Sequence, residues 1–123
     1  YLPAGDYTVA HGDIIVDRKD NILELYKDFA GSQNRESYEN AALCAQVAGK
    51  QLVYVIGTDP SDHVGQISDL SHWQYAIKNQ VFGGKQLSTQ ILRHQIIYPH
   101  VCFIFVSKGQ VCQAIWDTVA MGA

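Results

Sequence analysis

Leu52-Val53-Tyr54-Val55-Ile56 is an unbroken apolar run, closed by Gly57-Thr58-Asp59-Pro60. A strand with one wet face alternates apolar and polar residues, whereas an unbroken run belongs to a strand buried on both faces. Val101-Cys102-Phe103-Ile104-Phe105-Val106 repeats the pattern and predicts a second fully buried strand. Two such strands need helices to cover them, and the other segments supply helical patterns.

From Asn21 to Ala30 the residues Ile22, Leu25, Tyr26 and Phe29 recur at helical spacing, and Gly31-Ser32-Gln33-Asn34 breaks the pattern. A second helix is expected to about Ala48, with Tyr38, Ala42, Cys44 and Ala45 inward. Gly49 stands where a left-handed C-cap is wanted. Asp59 to Leu70 reads as an irregular loop. Ser71-His72-Trp73-Gln74 reads as a capping box for a helix to about Asn79, Gly83-Gly84 interrupts, and Leu87 to Ile97 predicts another helix. Ser107 with Gln110 caps a last helix with Val111, Ile115 and Val119 inward. Trp73, Tyr75 and Trp116 fall at helical positions and are expected in the core. Near the N-terminus, residues 6–10 and 14–19 predict a hairpin turning at His11-Gly12-Asp13. Two antiparallel strands, a helix pair, a strand, helices, a strand and a helix describe an α/β sandwich with a mixed sheet. At 123 residues the chain fits a single domain, 1–123.

Composition narrows the function classes. No apolar run approaches the roughly 18 residues that span a bilayer, and no secretory signal pattern is present. Cys44, Cys102 and Cys112 are odd in number, lack a CxxC pair and sit in apolar stretches, which predicts reduced, buried thiols in a cytoplasmic or otherwise intracellular setting. The chain starts at Tyr1 rather than Met, and an upstream segment is expected. The net charge of −3 is unevenly placed, for residues 1–62 carry ten acids against five Lys/Arg, and 63–123 carry two acids against four. A nucleic-acid partner wants cations, but bound divalent cations reverse the field of an acidic half.

The chemistry is concentrated in Gly5-Asp6-Tyr7 and Ile14-Ile15-Val16-Asp17-Arg18-Lys19. With a two-residue loop at His11-Gly12, Asp6 pairs with Asp17, their Cβ atoms about 4.5–5.5 Å apart. Lys19, two residues on, projects from the same face. With a loop at Gly12-Asp13, Asp6 faces Lys19 instead. Opposed carboxylates repel unless a cation lies between them. Mg²⁺ suits, being hard and typically held by one or two carboxylates with waters and phosphate oxygens. A plain surface hairpin with a same-face Asp17–Lys19 pair is the bland alternative. Charges that follow Ile14-Ile15-Val16 in a partly buried strand nevertheless need a reason.

Leu2-Pro3-Ala4-Gly5-Asp6-Tyr7 followed by Val16-Asp17-Arg18-Lys19 resembles the GD…ERK signature of XPF-type nuclease domains. These belong to the PD-(D/E)XK, restriction-endonuclease-like superfamily, and the likeness is to its compact bacterial and phage forms. Glu24-Leu25, Asn34-Arg35-Glu36-Ser37-Tyr38-Glu39, the strand Leu52–Gly57 and Phe103–Lys108 extend it over most of the chain. The resemblance implies a Mg²⁺-dependent DNA endonuclease, with Mn²⁺ able to substitute; branched or flapped DNA is one candidate substrate, and the sequence does not give the preferred DNA structure. It further implies Asp6 and Asp17 as metal ligands, Lys19 as catalytic and Arg18 as a supporting contact. Glu24 becomes a supporting acid, Arg35 a contact to the DNA backbone or a buried ion pair, and a homodimer or partner subunit is expected. Asp17 stands where the family usually has Glu, the family's first strand would precede Tyr1, and no tandem helix-hairpin-helix domain follows. A non-catalytic DNA-binding or scaffold domain of the same fold competes, as does a resolvase or restriction-type enzyme.

Other signals have plainer readings. Glu24 completes a capping box with Asn21, and Arg18 faces the other side of its strand, within reach of a helix acid. His63 and His72 are expected to be exposed, His100 and Cys102 lack partners at zinc spacing, and Gly83-Gly84-Lys85 is a turn rather than a Walker A loop.

Overall fold

The computed structural model describes residues 12–30, 32–77 and 80–121. The elements follow as β1 (Ile14–Lys19), α1 (Ile22–Ala30), α2 (Ser32–Val47), β2 (Gln51–Thr58), two 3-10 turns (Pro60–Asp62 and Ile67–His72), a ribbon of β3 (Gln74–Ile77) and β4 (Gln80–Gly83), α3 (Gly84–Ile97), β5 (Val101–Ser107), a 3-10 turn (Lys108–Gln110) and α4 (Val111–Met121). The architecture is α/β. The predicted strand 6–10, and Asp6 with it, lies outside the described residues, as does the turn residue His11.

β2 is the middle strand of a parallel sheet ordered β1-β2-β5. Parallel neighbours require crossover connections, which α1 with α2 and then α3 provide. Every residue of β2 except Gln51 is buried, as its unbroken apolar run predicts. One sheet face, with Ile15, Leu52, Tyr54, Ile56, Phe103 and Phe105, packs in a single core with residues of α1, α2 and α3. The opposite face, with Ile14, Val16, Val53 and Val55, packs on Val111, Ile115 and Val119 of α4. Each fully buried aliphatic side chain of these clusters contributes on the order of 1.5–3 kcal/mol.

Local signals account for the helix ends. In α1, Asn21 Oδ1 accepts from Glu24 N–H at 2.8 Å and Glu24 Oε2 accepts from Asp20 N–H at 3.1 Å. Gly49 closes α2 at φ +70°, with Lys50 N–H bonded to Ala45 C=O (2.8 Å) and Gly49 N–H to Gln46 C=O (3.0 Å). That is the Schellman pattern, in which glycine takes a conformation other residues resist.

Several expectations are corrected. The helix expected from Ser71 to about Asn79 is not formed over 71–77, where a 3-10 turn stabilised by Asp69 gives way to the antiparallel β3–β4 ribbon; residues 78–79 lie outside the described residues. Tyr75, Ile77, Val81 and Phe82 are strand formers, and their pairing overrides the capping-box pattern. Trp73 is buried, but it ends that turn rather than riding a helix. Trp116 is 70% exposed, because α4 turns Ile115 inward and its neighbour outward. β5 is not buried on both faces: Val101, Phe103 and Phe105 are covered, while Ile104 is exposed and Cys102 and Val106 half-buried at the flank of α4. Cys44 and Cys112 are exposed, and all three thiols are free. Among the described residues no helix is long and apolar enough to cross a membrane.

Gly84 opens α3 under the preceding turn, its N–H donating to Trp73 C=O at 2.8 Å. A Cβ there would lie 1.9 Å from Leu70 O and 2.9 Å from Trp73 O, whereas one on Gly83 would meet nothing within 4 Å. Gly84→Ala is therefore expected to lower unfolding free energy by about 2–4 kcal/mol, and Gly83→Ala to stay within about 0.5 kcal/mol. Urea denaturation of the two variants beside the parent checks the contrast.

Candidate active site

The alternation of β1 decides where its charges go. Ile15 faces the core beneath α1–α3, so Asp17 and Lys19 continue on that side. Val16 faces α4, and Arg18 continues there. Lys19 Nζ lies 3.9 Å from Asp17 Oδ1, and their side chains are only 14% and 22% exposed. The structure thus brings together two of the three residues the sequence singled out, at the C-terminal half of a parallel strand.

Beneath them lies an aromatic layer. Asp17 is in register with Tyr54, and Tyr54 with Phe103; the latter two rings stack 5.1 Å apart at 19°. Tyr38 of α2 packs on Tyr54 at 4.9 Å, and Lys19 Nζ sits 5.3 Å from the Tyr38 ring centroid. The ring's negative face attracts the ammonium, more strongly where water is excluded. Tyr38 was legible as an inward helix residue, but its role as platform for Lys19 follows only from the register of β1 with β2.

The supporting residues separate. Arg18 Nε pairs with Asp20 Oδ1 at 3.1 Å on the turn before α1, both side chains well exposed. Glu24 is engaged in capping α1. Arg35 is exposed, not in a buried ion pair, and its Nη2 donates to Phe29 C=O at 3.3 Å. It stands one helical turn before Tyr38, on the same side of α2. His63 and His72 are exposed, as expected. His100 Nε2 lies 2.7 Å from Ala42 C=O.

Asp17 suits a hard divalent cation in kind, being a partly desolvated oxygen donor. Among the described residues no group of three or more His, Cys, Asp or Glu converges. Magnesium asks for less, since one or two carboxylates suffice when waters and substrate complete its shell. Asp6, the second expected ligand, lies outside the described residues.

A pocket of about 190 Å³ opens on the same side of the sheet, between the end of α1, the start of α2 and the end of α3. Its walls include Phe29, Arg35, Gln90, Arg93, His94 and Tyr98. His94 is 7% exposed, and its Nε2 is buried without a hydrogen-bond partner. The one signal for it in the sequence is a histidine continuing the buried Leu87/Ile91 stripe of α3. Burial, with a smaller contribution from nearby His100, lowers its pKa from 6.5 to about 4. The unfolded chain protonates near 6.5 and the folded one only near 4, so the stability tied to neutral His94 is complete above pH 6.5 and is lost as pH falls toward 4. Between pH 7 and 5 the parent is expected to lose roughly 1–2 kcal/mol that His94→Phe does not lose. Thermal melts of both proteins across that range check it.

Compared with models of protein families, with curated proteins and with solved structures, the chain matches none.

Proposed function

We propose that this chain is a metal-dependent endonuclease hydrolysing DNA phosphodiester bonds, built on a restriction-endonuclease-like fold of the XPF type. The observation that carries the reading is the Asp17–Lys19 pair, half-withdrawn from water on one face of a parallel strand, 3.9 Å apart. Charges in such a place cost stability unless they serve a purpose.

Asp17, with Asp6, is proposed to hold Mg²⁺ or Mn²⁺. When bound, the ion supplies polarisation of the scissile phosphate and a lowered pKa for the attacking water. Asp17 contributes the negative charge that fixes the ion's position. Lys19 contributes a fixed positive charge beside the reacting phosphate, where negative charge grows in the transition state. Tyr38 holds that ammonium forward from below, so little reorganisation is needed as charge develops. Arg18, paired with Asp20 on the opposite side of the strand, is left a supporting role at most.

Nicking of plasmid, flapped and branched DNA with Mg²⁺ or Mn²⁺ tests the reading. Asp17→Asn and Lys19→Met are each expected to lower cleavage roughly a hundredfold or more, while Lys108→Ala, in a surface ion pair with Asp59, retains it. Metal-dependent DNA binding without any product from the parent would replace the enzyme by a non-catalytic DNA-binding domain of the same fold.

A further inference from the structure

The pocket between α1, α2 and α3 has a composition that the Asp17–Lys19 site does not use. Its floor is aromatic: Phe29 is buried, its ring 5.5 Å from that of His94 in an edge-on contact, and Tyr98 lies 4.9 Å from His94 on the other side. His94 is neutral at physiological pH, and its Nε2 is buried without a hydrogen-bond partner.

The rim is charged. Arg35 and Arg93 are both exposed, and among the described residues neither pairs with a carboxylate. Arg35 is held in place, because its Nη2 donates to Phe29 C=O. With the Gln90 amide turned to satisfy both neighbours, its nitrogen also donates to that carbonyl (3.1 Å) and its oxygen accepts from Arg35 Nη2 (3.2 Å). Glu39, one turn along α2, is the rim's one acceptor-only group. A lining of aromatic rings and an imidazole, rimmed by a carboxylate and two guanidiniums, matches a heteroaromatic ring that bears a phosphate. About 190 Å³ is the room of some six waters, enough for one ring system and not for a duplex.

We infer that this pocket is a nucleotide subsite, with the base against Phe29, His94 and Tyr98 and the phosphate at Arg35 and Arg93. If the nuclease reading holds, on which this role rests, the occupant is a nucleotide unstacked from the DNA strand under attack. Tyr38 links the two places, with Lys19 Nζ 5.3 Å from its ring and the His94 ring 6.3 Å from it. Stacking on aromatic side chains tolerates any base, and fixed arginines track the backbone.

The test is a titration of the full chain, without metal, followed by the His94 ring proton resonances. The probes are deoxyadenosine monophosphate, deoxyadenosine and inorganic phosphate. The nucleotide is expected to shift the resonances saturably, and to bind roughly tenfold or more tighter than either part alone, the factor one charge-assisted hydrogen bond or one stacked base supplies. Arg93→Gln, at an exposed position, should bring the nucleotide down to the level of the nucleoside. Equal binding of phosphate and nucleotide would overturn the inference in favour of a plain anion site, and no shift at saturating nucleotide would overturn it outright. Because the titration has neither metal nor scissile bond, its failure leaves cleavage at Asp17 and Lys19 standing. A failure of cleavage likewise leaves nucleotide binding standing.

Discussion

Backbone pairing along both edges of β2 sets the level of everything else in the molecule. Because β1 and β5 both run parallel to it in fixed register, Asp17, Tyr54 and Phe103 fall on one row of the sheet, on one face. A slip of one residue in β1 would turn Asp17 and Lys19 toward α4 and bring Arg18 over the aromatic layer. Two things pin that register. Ile14 and Val16 must meet Val111, Ile115 and Val119, and Ile15 must meet the opposite core. Apolar packing at the start of β1 therefore decides which way its charged end points.

The same layer explains how charge is tolerated at that end. A lysine whose side chain is only 14% exposed gives up part of its hydration. Asp17 and the face of Tyr38 return part of the lost energy. Tyr38 is itself fixed by Tyr54 below and by Phe29 beside it, the latter at 4.4 Å. Rigid support of this kind is what the role proposed for Lys19 would require, since a lysine free to swing would spend energy reorganising as charge appears.

The legibility of the fold in the sequence follows the strength of local constraint. The unbroken run of β2, the amphipathic stripe of α1, the glycine cap of α2 and the inward residues of α4 depend on short-range pattern and were readable. Residues 71–77 were not, because their capping pattern is weak and the β3–β4 pairing that overrides it is a tertiary matter. Trp116 and the cysteines misled because an apolar residue type does not say which side of a helix it occupies. At the site, the shared face of Asp17 and Lys19 was legible through period-two alternation. Tyr38 as platform, Arg35 on the Phe29 carbonyl and the His94 pocket were not, since each depends on elements brought together from distant parts of the chain.

An acidic chain engaging a polyanion needs its cations where the nucleic acid lies, not in the majority. The first half of the chain carries the surplus of acids, yet Asp17 is joined to Lys19, and Asp59 and Asp20 have basic partners of their own. On the side of the sheet covered by α1–α3, Lys19, Arg35 and Arg93 accompany the Tyr38–Phe29–His94 rings. A bound divalent ion would add two further positive charges at Asp17 and invert the local field there. For the proposed DNA partner, net charge would govern long-range approach and its dependence on salt, whereas contact would be governed by the few cations that the parallel register and the aromatic layer hold in place.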